Sequence, residues 1–286
     1  PGGKQYSFIE GLDMQTIVFA SQKGGSGKTT LAAHMAVQAS EAGIGPVAMI
    51  DTDPQGSLHG WWQMREAAMP TLIRSNANDI AEDLEHLRSQ GHRLVIVDTQ
   101  PAVTEAISEI VQYADLVVIP CRPSPHDLRA VGATVDIVER WQKHMVFVVN
   151  SATRRARITS EAAVALSQHG TVAPATLHHR VDFAASMIDG RTVMETGPDG
   201  KSATEISVLW AYIEARMERI NQIPMPYETA RLVSDANSSF GSRNQPQPPT
   251  PIGLQTDNQS LQASGGLRRP VQSGVRFGRR LASDNG

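Results

Sequence analysis

The sequence predicts a doubly wound α/β fold, a mostly parallel sheet flanked by helices on both faces. Three observations predict it. Nearly unbroken Val/Ile/Leu runs recur along the chain, segments of helical length alternate with them, and most of the runs end on a proline or a polar residue. Runs without polar alternation fit strands buried on both faces, as in a parallel sheet covered by helices. In such a fold, ligands gather at the carboxyl ends of the strands.

Each element has its own justification. Thr16-Ile17-Val18-Phe19-Ala20 is the first apolar run, and a Gly-rich stretch follows it closely. Thr29 to Ala42 then carries Leu31, Ala32, Met35, Ala36 and Ala39 at helical spacing, with Gly43 as the stop. Val47–Ile50 ends in Asp51, Leu94–Val97 in Asp98, Leu116–Ile119 in Pro120, and Val146–Val149 in Asn150. Helices are expected over 57–68, 79–90, 102–112, 125–141 and 159–168. A last helix is expected over Ala203–Ile220, with Ile206, Leu209, Trp210, Ile213 and Met217 on one stripe.

Composition sets the limits. A chain of 286 residues with net charge −3 has ample core and no global nucleic-acid signature. One cysteine, Cys121, excludes a disulfide framework or a thiolate cage within one chain. No apolar run is long enough to span a bilayer, so a protein of a reducing, soluble compartment is expected. Residues 1–13 lack periodicity and read as an N-terminal arm or a remnant of expression, since Met14 looks like a natural start. Residues 14–222 read as one α/β domain, and 223–286 as a flexible basic tail, disordered over the Ser/Gly/Pro/Gln/Asn-rich stretch 236–286. From Ser242 onward the chain carries +4, which leaves −7 for residues 1–241.

The chemistry starts at Gln22-Lys23-Gly24-Gly25-Ser26-Gly27-Lys28-Thr29-Thr30. A Gly-rich loop ending in Gly-Lys-Thr between a strand and a helix is the P-loop pattern. Its amides and the helix dipole face phosphate oxygens, Lys28 reaches the outer phosphates, and the Thr29 hydroxyl suits Mg²⁺. The general pattern has glycine where Gln22 stands, and Lys23 adds a second lysine that binding within one chain does not need. Asp98, closing its strand, takes the place of a Walker-B carboxylate for the metal. Asp51-Thr52-Asp53-Pro54-Gln55-Gly56 puts two carboxylates in a turn directly after a strand. One can face the lysine and metal while the other addresses an attacking water.

At this point the chain resembles the ParA/MinD family of deviant Walker-A ATPases, and most of all the small ParA proteins that partition plasmids and chromosomes. The matching residues are Lys23–Thr30, Asp51–Gly56, Val95-Ile96-Val97-Asp98-Thr99, and the proline-rich Pro120–Leu128. The match runs from about Gln15 to Ile220. The resemblance implies a P-loop NTPase that uses ATP and Mg²⁺ and forms an ATP-sandwich homodimer. It implies that Lys23 reaches the partner's phosphates and that Lys28 is the in-chain lysine. Gly24, Gly25, Ser26, Gly27 and Thr30 complete the nucleotide loop, Thr29, Asp51 and Asp98 surround the metal, and Asp53 serves hydrolysis. Asn150 falls where the family often has an adenine contact. Gln100 stands where the family usually has proline.

The resemblance further implies nonspecific DNA binding by the dimer, a ParB-like activating partner, and a cytoplasmic, nucleoid-associated, bacterial protein. Arg154, Arg155 and Arg157 after a strand end, with Arg180 and Arg191 further on, are the candidate phosphate contacts, against the plainer reading of a solvated Arg-rich loop. A MinD-like membrane switch needs a C-terminal amphipathic helix, and Arg276-Phe277-Gly278-Arg279-Arg280-Leu281 is short and broken by glycine. A metabolic P-loop enzyme needs a substrate pocket that the sequence does not display. The cargo of a positioning switch also stays open, because this family positions carboxysomes, chemoreceptor arrays and secretion machinery as well as DNA. His178-His179 lacks a third metal ligand at a suitable spacing, and Trp61-Trp62 is expected to pack a helix against the sheet.

Overall fold

The computed structural model describes residues 14–102 and 105–222. The expectations for the arm (1–13) and the basic tail (223–286) lie outside the described residues. In chain order the elements are β1 (Gln15–Phe19), α1 (Lys28–Glu41), β2 (Val47–Asp51), α2 (Ser57–Gln63), β3 (Thr71–Arg74), α3 (Ile80–Ser89), β4 (Leu94–Asp98) and α4 (Glu105–Val111). They continue with β5 (Leu116–Cys121), α5 (Pro125–Arg140), β6 (His144–Val149), α6 (Arg157–Ser167), α7 (Val181–Ser186), α8 (Val193–Thr196) and α9 (Lys201–Gln222). A 3₁₀ turn, Met187–Asp189, continues α7.

Six parallel strands form one sheet in the order β3-β2-β4-β1-β5-β6. The doubly wound fold is therefore as expected. Alternate residues of each strand feed opposite layers. Ile17, Phe19, Met49 and Ile96 pack with α1 and α9, while Val18, Ile50, Val95 and Val97 pack with α3, α4 and α5. The α9 stripe is buried in full, from Ile206 to Met217. Four alanines of α1 (Ala32, Ala33, Ala36, Ala39) are also buried, which lets that helix lie close between the sheet and α9.

The differences from expectation are local. β3 falls in a stretch read as a connection. It has only four residues at the sheet edge, half-buried rather than continuously apolar, so no run marks it. The helix expected over 57–68 ends at Gln63, because the Arg65 side chain turns inward toward Glu195 and the Trp62 indole donates to the Pro70 carbonyl (2.9 Å). α5 starts as its sequence dictates, with Pro125 in the first turn and the Ser124 hydroxyl accepting from the Asp127 amide. α6 begins two residues early and so takes Arg157 into its first turn.

Candidate nucleotide-binding site

The chain order of the sheet reverses between β1 and β5, and this switch point is where an open α/β sheet forms its ligand crevice. The loop from β1 to α1 crosses it. Gly25 (φ 71°) and Gly27 (φ 99°) both occupy the left-handed region, which other residues rarely enter. Gly27 is doubly required, since a Cβ there would collide with the Asn150 amide nitrogen. Asn150, at the end of β6, donates from Nδ2 to the Ser26 carbonyl (2.7 Å) and accepts at Oδ1 from the Ser151 amide. The structure thus puts Asn150 against the loop as a buttress, with one of its two amide hydrogens spent on the Ser26 carbonyl.

The two lysines differ. Lys28 is buried and its Nζ donates to the Ser21 carbonyl at 3.3 Å. Burial pulls its pKa below the usual lysine value, with the charges of Asp98 and Asp53 opposing that pull. Lys23 is exposed, and its ammonium makes no ion pair among the described residues.

Register brings the acids together. Asp51 and Asp98 are direct partners across β2 and β4, and Phe19 pairs with Asp98 on the other side. Asp98 is fully buried, and its Oδ2 accepts from the Thr29 hydroxyl at 2.6 Å. Burial pushes its carboxyl up to about 7, which the Thr29 hydrogen bond and Lys28 offset in part and the negative charges of Asp51 and Asp53 reinforce. Asp51 spends both oxygens on amides, from Asp53 (3.0 Å) and from His59 in the first turn of α2 (2.8 Å). Asp53 accepts from the Gln55 amide (2.9 Å), and Gly56 turns the chain at φ 65°. The two carboxylates therefore hold the turn after β2 through backbone amides, Asp51 at its start and Asp53 within it. Asp51 also organises the start of α2.

Two buried polar atoms around the loop have no hydrogen-bond partner: Ser26 Oγ and Asp98 Oδ1. Such atoms are costly unless something completes them. A hydroxyl on the loop suits a phosphate oxygen, and a free carboxylate oxygen beside Thr29 suits a hard cation. The residues present therefore fit a Mg²⁺–nucleotide.

Sequence reading missed the support behind the loop. His34 is fully buried on α1, with Nδ1 donating to the Thr30 carbonyl (2.7 Å) and Nε2 accepting from the Val193 amide of α8 (3.3 Å). Burial lowers its pKa to about 4, so it stays neutral. Thr192 and Glu195 form a capping box at α8, and Glu195 holds both ends of the Arg65 guanidinium. No local pattern marks partners this far apart in the chain.

The expected DNA residues do not form one set. Arg154 and Arg155 are exposed in the turn before α6, and Arg157 is exposed but paired with Glu161. Arg180 is mostly buried and bound to Glu205, which also accepts from the His178 ring and amide. Arg191 pairs with Asp189, two residues away. Arg180 is thus held by Glu205 of α9, while Arg154 and Arg155 stay open. Trp61 packs into the core as expected, its indole donating to the Arg191 carbonyl. Cys121 is buried and its thiol is pushed up to about 12, an inert strand-end residue.

Comparison with known proteins agrees with this geometry. Residues 17–197 match the family described as the CobQ/CobB/MinD/ParA nucleotide binding domain. Maintenance of carboxysome distribution protein A of Gloeobacter kilaueensis is 30% identical over 210 residues, covering 72% of this chain and 94% of that protein. Its namesake in Halothiobacillus neapolitanus is 29% identical, covering 66% of this chain and 91% of that protein. Among solved structures, MinD of Pyrococcus horikoshii complexed with Mg-ADP matches with a TM-score of 0.60 at 14% identity, over 73% of this chain and all of that one. An ATP complex of Cyanothece McdA matches with a TM-score of 0.58 at 17% identity, over 75% of this chain and 99% of that one. The buried phosphate cradle, its acids and these likenesses lead to one conclusion: the chain belongs to the CobQ/CobB/MinD/ParA nucleotide-binding family and, within it, to the ParA/MinD-like ATPases.

Proposed function

We propose that this chain is an ATP-dependent switch that pairs with a second copy when ATP is bound, and that the pair holds nonspecific DNA. One observation carries the reading: the contrast between the buried Lys28 and the exposed, unpaired Lys23 of the same loop. Lys28 completes a cradle within the chain. A cation left outside that cradle has its use on phosphates held by another chain.

In this reading the loop amides of Gly24, Gly25, Ser26 and Gly27, with Lys28 and Thr30, hold the phosphates. Thr29 and Asp98 hold Mg²⁺, with the charge of Asp51 beside them. When bound, the metal neutralises negative charge on the phosphate oxygens. Asp53, anchored through the Gln55 amide, orients the attacking water. Lys23 supplies positive charge in trans, so that pairing and turnover become one event.

The exposed Arg154 and Arg155, with Arg157 at the start of α6, are the favoured DNA contacts, read through phosphates and weakened by salt. A ParB-like partner stimulates hydrolysis and releases the pair. Localisation to a bacterial nucleoid follows from DNA binding. The cargo is plasmid or chromosomal DNA or a protein assembly, and the names of the carboxysome-distribution and ParA relatives support both options. No helix among the described residues is long and apolar enough to cross a membrane.

The test is Lys23→Ala in light scattering with ATP. The variant should bind ATP within a few-fold of the parent yet stay monomeric. ATP-dependent dimers of undiminished stability would reject the trans lysine. Co-sedimentation with DNA and with liposomes, each with ATP, separates this switch from a membrane-bound one.

A further inference from the structure

The residue following β5 is Arg122, and β5 is the strand beside β1 at the sheet's switch point. Its backbone is fixed, because its carbonyl accepts from the Ser124 amide (2.7 Å) and from the Cys121 thiol (3.4 Å). From this anchor the side chain crosses to the phosphate loop. Nη2 stands 3.0 Å, Cζ 3.6 Å and Nη1 3.7 Å from the point where a Cβ on Gly25 would lie. The guanidinium therefore lies against the crown of the loop, in close contact with the face of Gly25.

No ion pair or hydrogen bond involves this guanidinium among the described residues, and the residue is exposed. The nearest acids by sequence and by strand do not claim it. Asp127 accepts from the Ser124 hydroxyl, Asp98 accepts from Thr29, and Asp51 and Asp53 accept from backbone amides. A fork of N–H donors, permanently charged and without a carboxylate, lies against a loop built to present amides to phosphate. Guanidinium and phosphate match in shape as well as charge, and such pairs are often bidentate. A lysine could supply the charge but not the fork.

We infer that Arg122 is a phosphate-binding residue for the nucleotide of its own chain, a cation supplied by the β5–α5 segment that closes on the terminal phosphates across Gly25. This inference rests on the ATP-binding reading above and adds to it. The outer phosphates then meet cations from three directions: Lys28 from below, Arg122 from the neighbouring strand, and Lys23 of a second copy.

The experiment is titration of the full chain with fluorescent ATP, ADP and AMP, comparing the parent with Arg122→Gln and Arg122→Lys. Arg122→Gln should weaken ATP by about tenfold, the scale of one charge-assisted hydrogen bond, and AMP by less than twofold. Arg122→Lys should recover part of the ATP loss. Because the side chain is exposed, the thermal midpoint without nucleotide should not move. ATP affinity of Arg122→Gln equal to that of a parent that does bind ATP would overturn the inference, as would equal losses for ATP and AMP. Failure of the parent to bind ATP would instead reject the underlying nucleotide reading, so the two failures are distinct.

Discussion

The phosphate loop with its acids and the segment from α7 to α8 both bury charge, but they bury it differently. Around the loop the charges are left incomplete: Asp98 keeps one oxygen without a partner, Ser26 Oγ has none, and Lys28 has a single carbonyl. Around α8 the charges are saturated. The Arg65 side chain is 4% exposed, and it donates to both Glu195 oxygens, to the Gly190 carbonyl and to the Met69 carbonyl. It also lies over the Trp61 ring, 5.5 Å from its centre. Glu195 further accepts from the Thr192 amide and hydroxyl. Saturated burial of the second kind is a fastening. Neither buried charge nor unmet capacity alone locates a site, since Arg180 Nε, Trp210 Nε1 and Arg216 Nε also lack partners. It is unmet capacity at the sheet's switch point that singles out the loop.

Four substitutions or conditions probe this contrast. The largest effect is expected at Gly27→Ala, where a left-handed backbone and a collision with Asn150 both oppose a Cβ. Nucleotide affinity should fall by about a hundredfold, and because the strain is present without nucleotide the empty protein should also lose about 1–3 kcal/mol. Calorimetric titration showing near-parental affinity would mean that the loop does not need its glycine.

Arg65→Ala should show the opposite pattern. It strands Glu195 among partly buried groups and should cost about 3 kcal/mol in denaturant unfolding, while nucleotide affinity at saturating folded fraction stays within a few-fold. A stability loss below about 0.5 kcal/mol would show that the fastening is not one.

Acid should act through His34. Its folded-state pKa of about 4 lies below the ordinary value of 6.5, so the unfolded chain binds a proton first. Stability attributable to this histidine is intact above about pH 6.5 and is lost as pH falls toward 4, by at most about 3 kcal/mol. Urea titrations of the parent and His34→Gln between pH 7 and 4.5 measure this directly, and equal slopes would remove His34 as the cause. The smallest effect belongs to Arg157→Ala, whose pairing with Glu161 is largely exposed. Stability should change by less than about 0.5 kcal/mol, and DNA retention should fall as salt rises.

How much the sequence disclosed follows from how local each feature is. The phosphate loop was legible because glycine, lysine and threonine at fixed spacing carry their chemistry within nine residues. The sheet was legible because strands buried on two faces leave no polar alternation, as in Val95, Ile96 and Val97. β3 was not legible, since an edge strand of Thr71-Leu72-Ile73-Arg74 is half-exposed and its identity comes from pairing with β2. Arg180 reads like Arg154 in sequence, because its partner Glu205 lies on α9, 25 residues away. Asn150 was placed correctly at a strand end, but its target, the Ser26 carbonyl, lies 124 residues away in sequence. Arg122 was visible within the proline-rich segment, yet nothing in its neighbours says that its side chain turns back over Gly25.

The hydrogen bond from the Val193 amide to His34 has a practical consequence. An amide that donates to a side chain on another helix can exchange with solvent only when that contact opens. His34 is in turn bonded to the carbonyl of Thr30, at the base of the phosphate cradle. Deuterium uptake at Val193 thus becomes a built-in gauge of the cradle, slowed by whatever tightens the first turn of α1 and readable without any label on the protein.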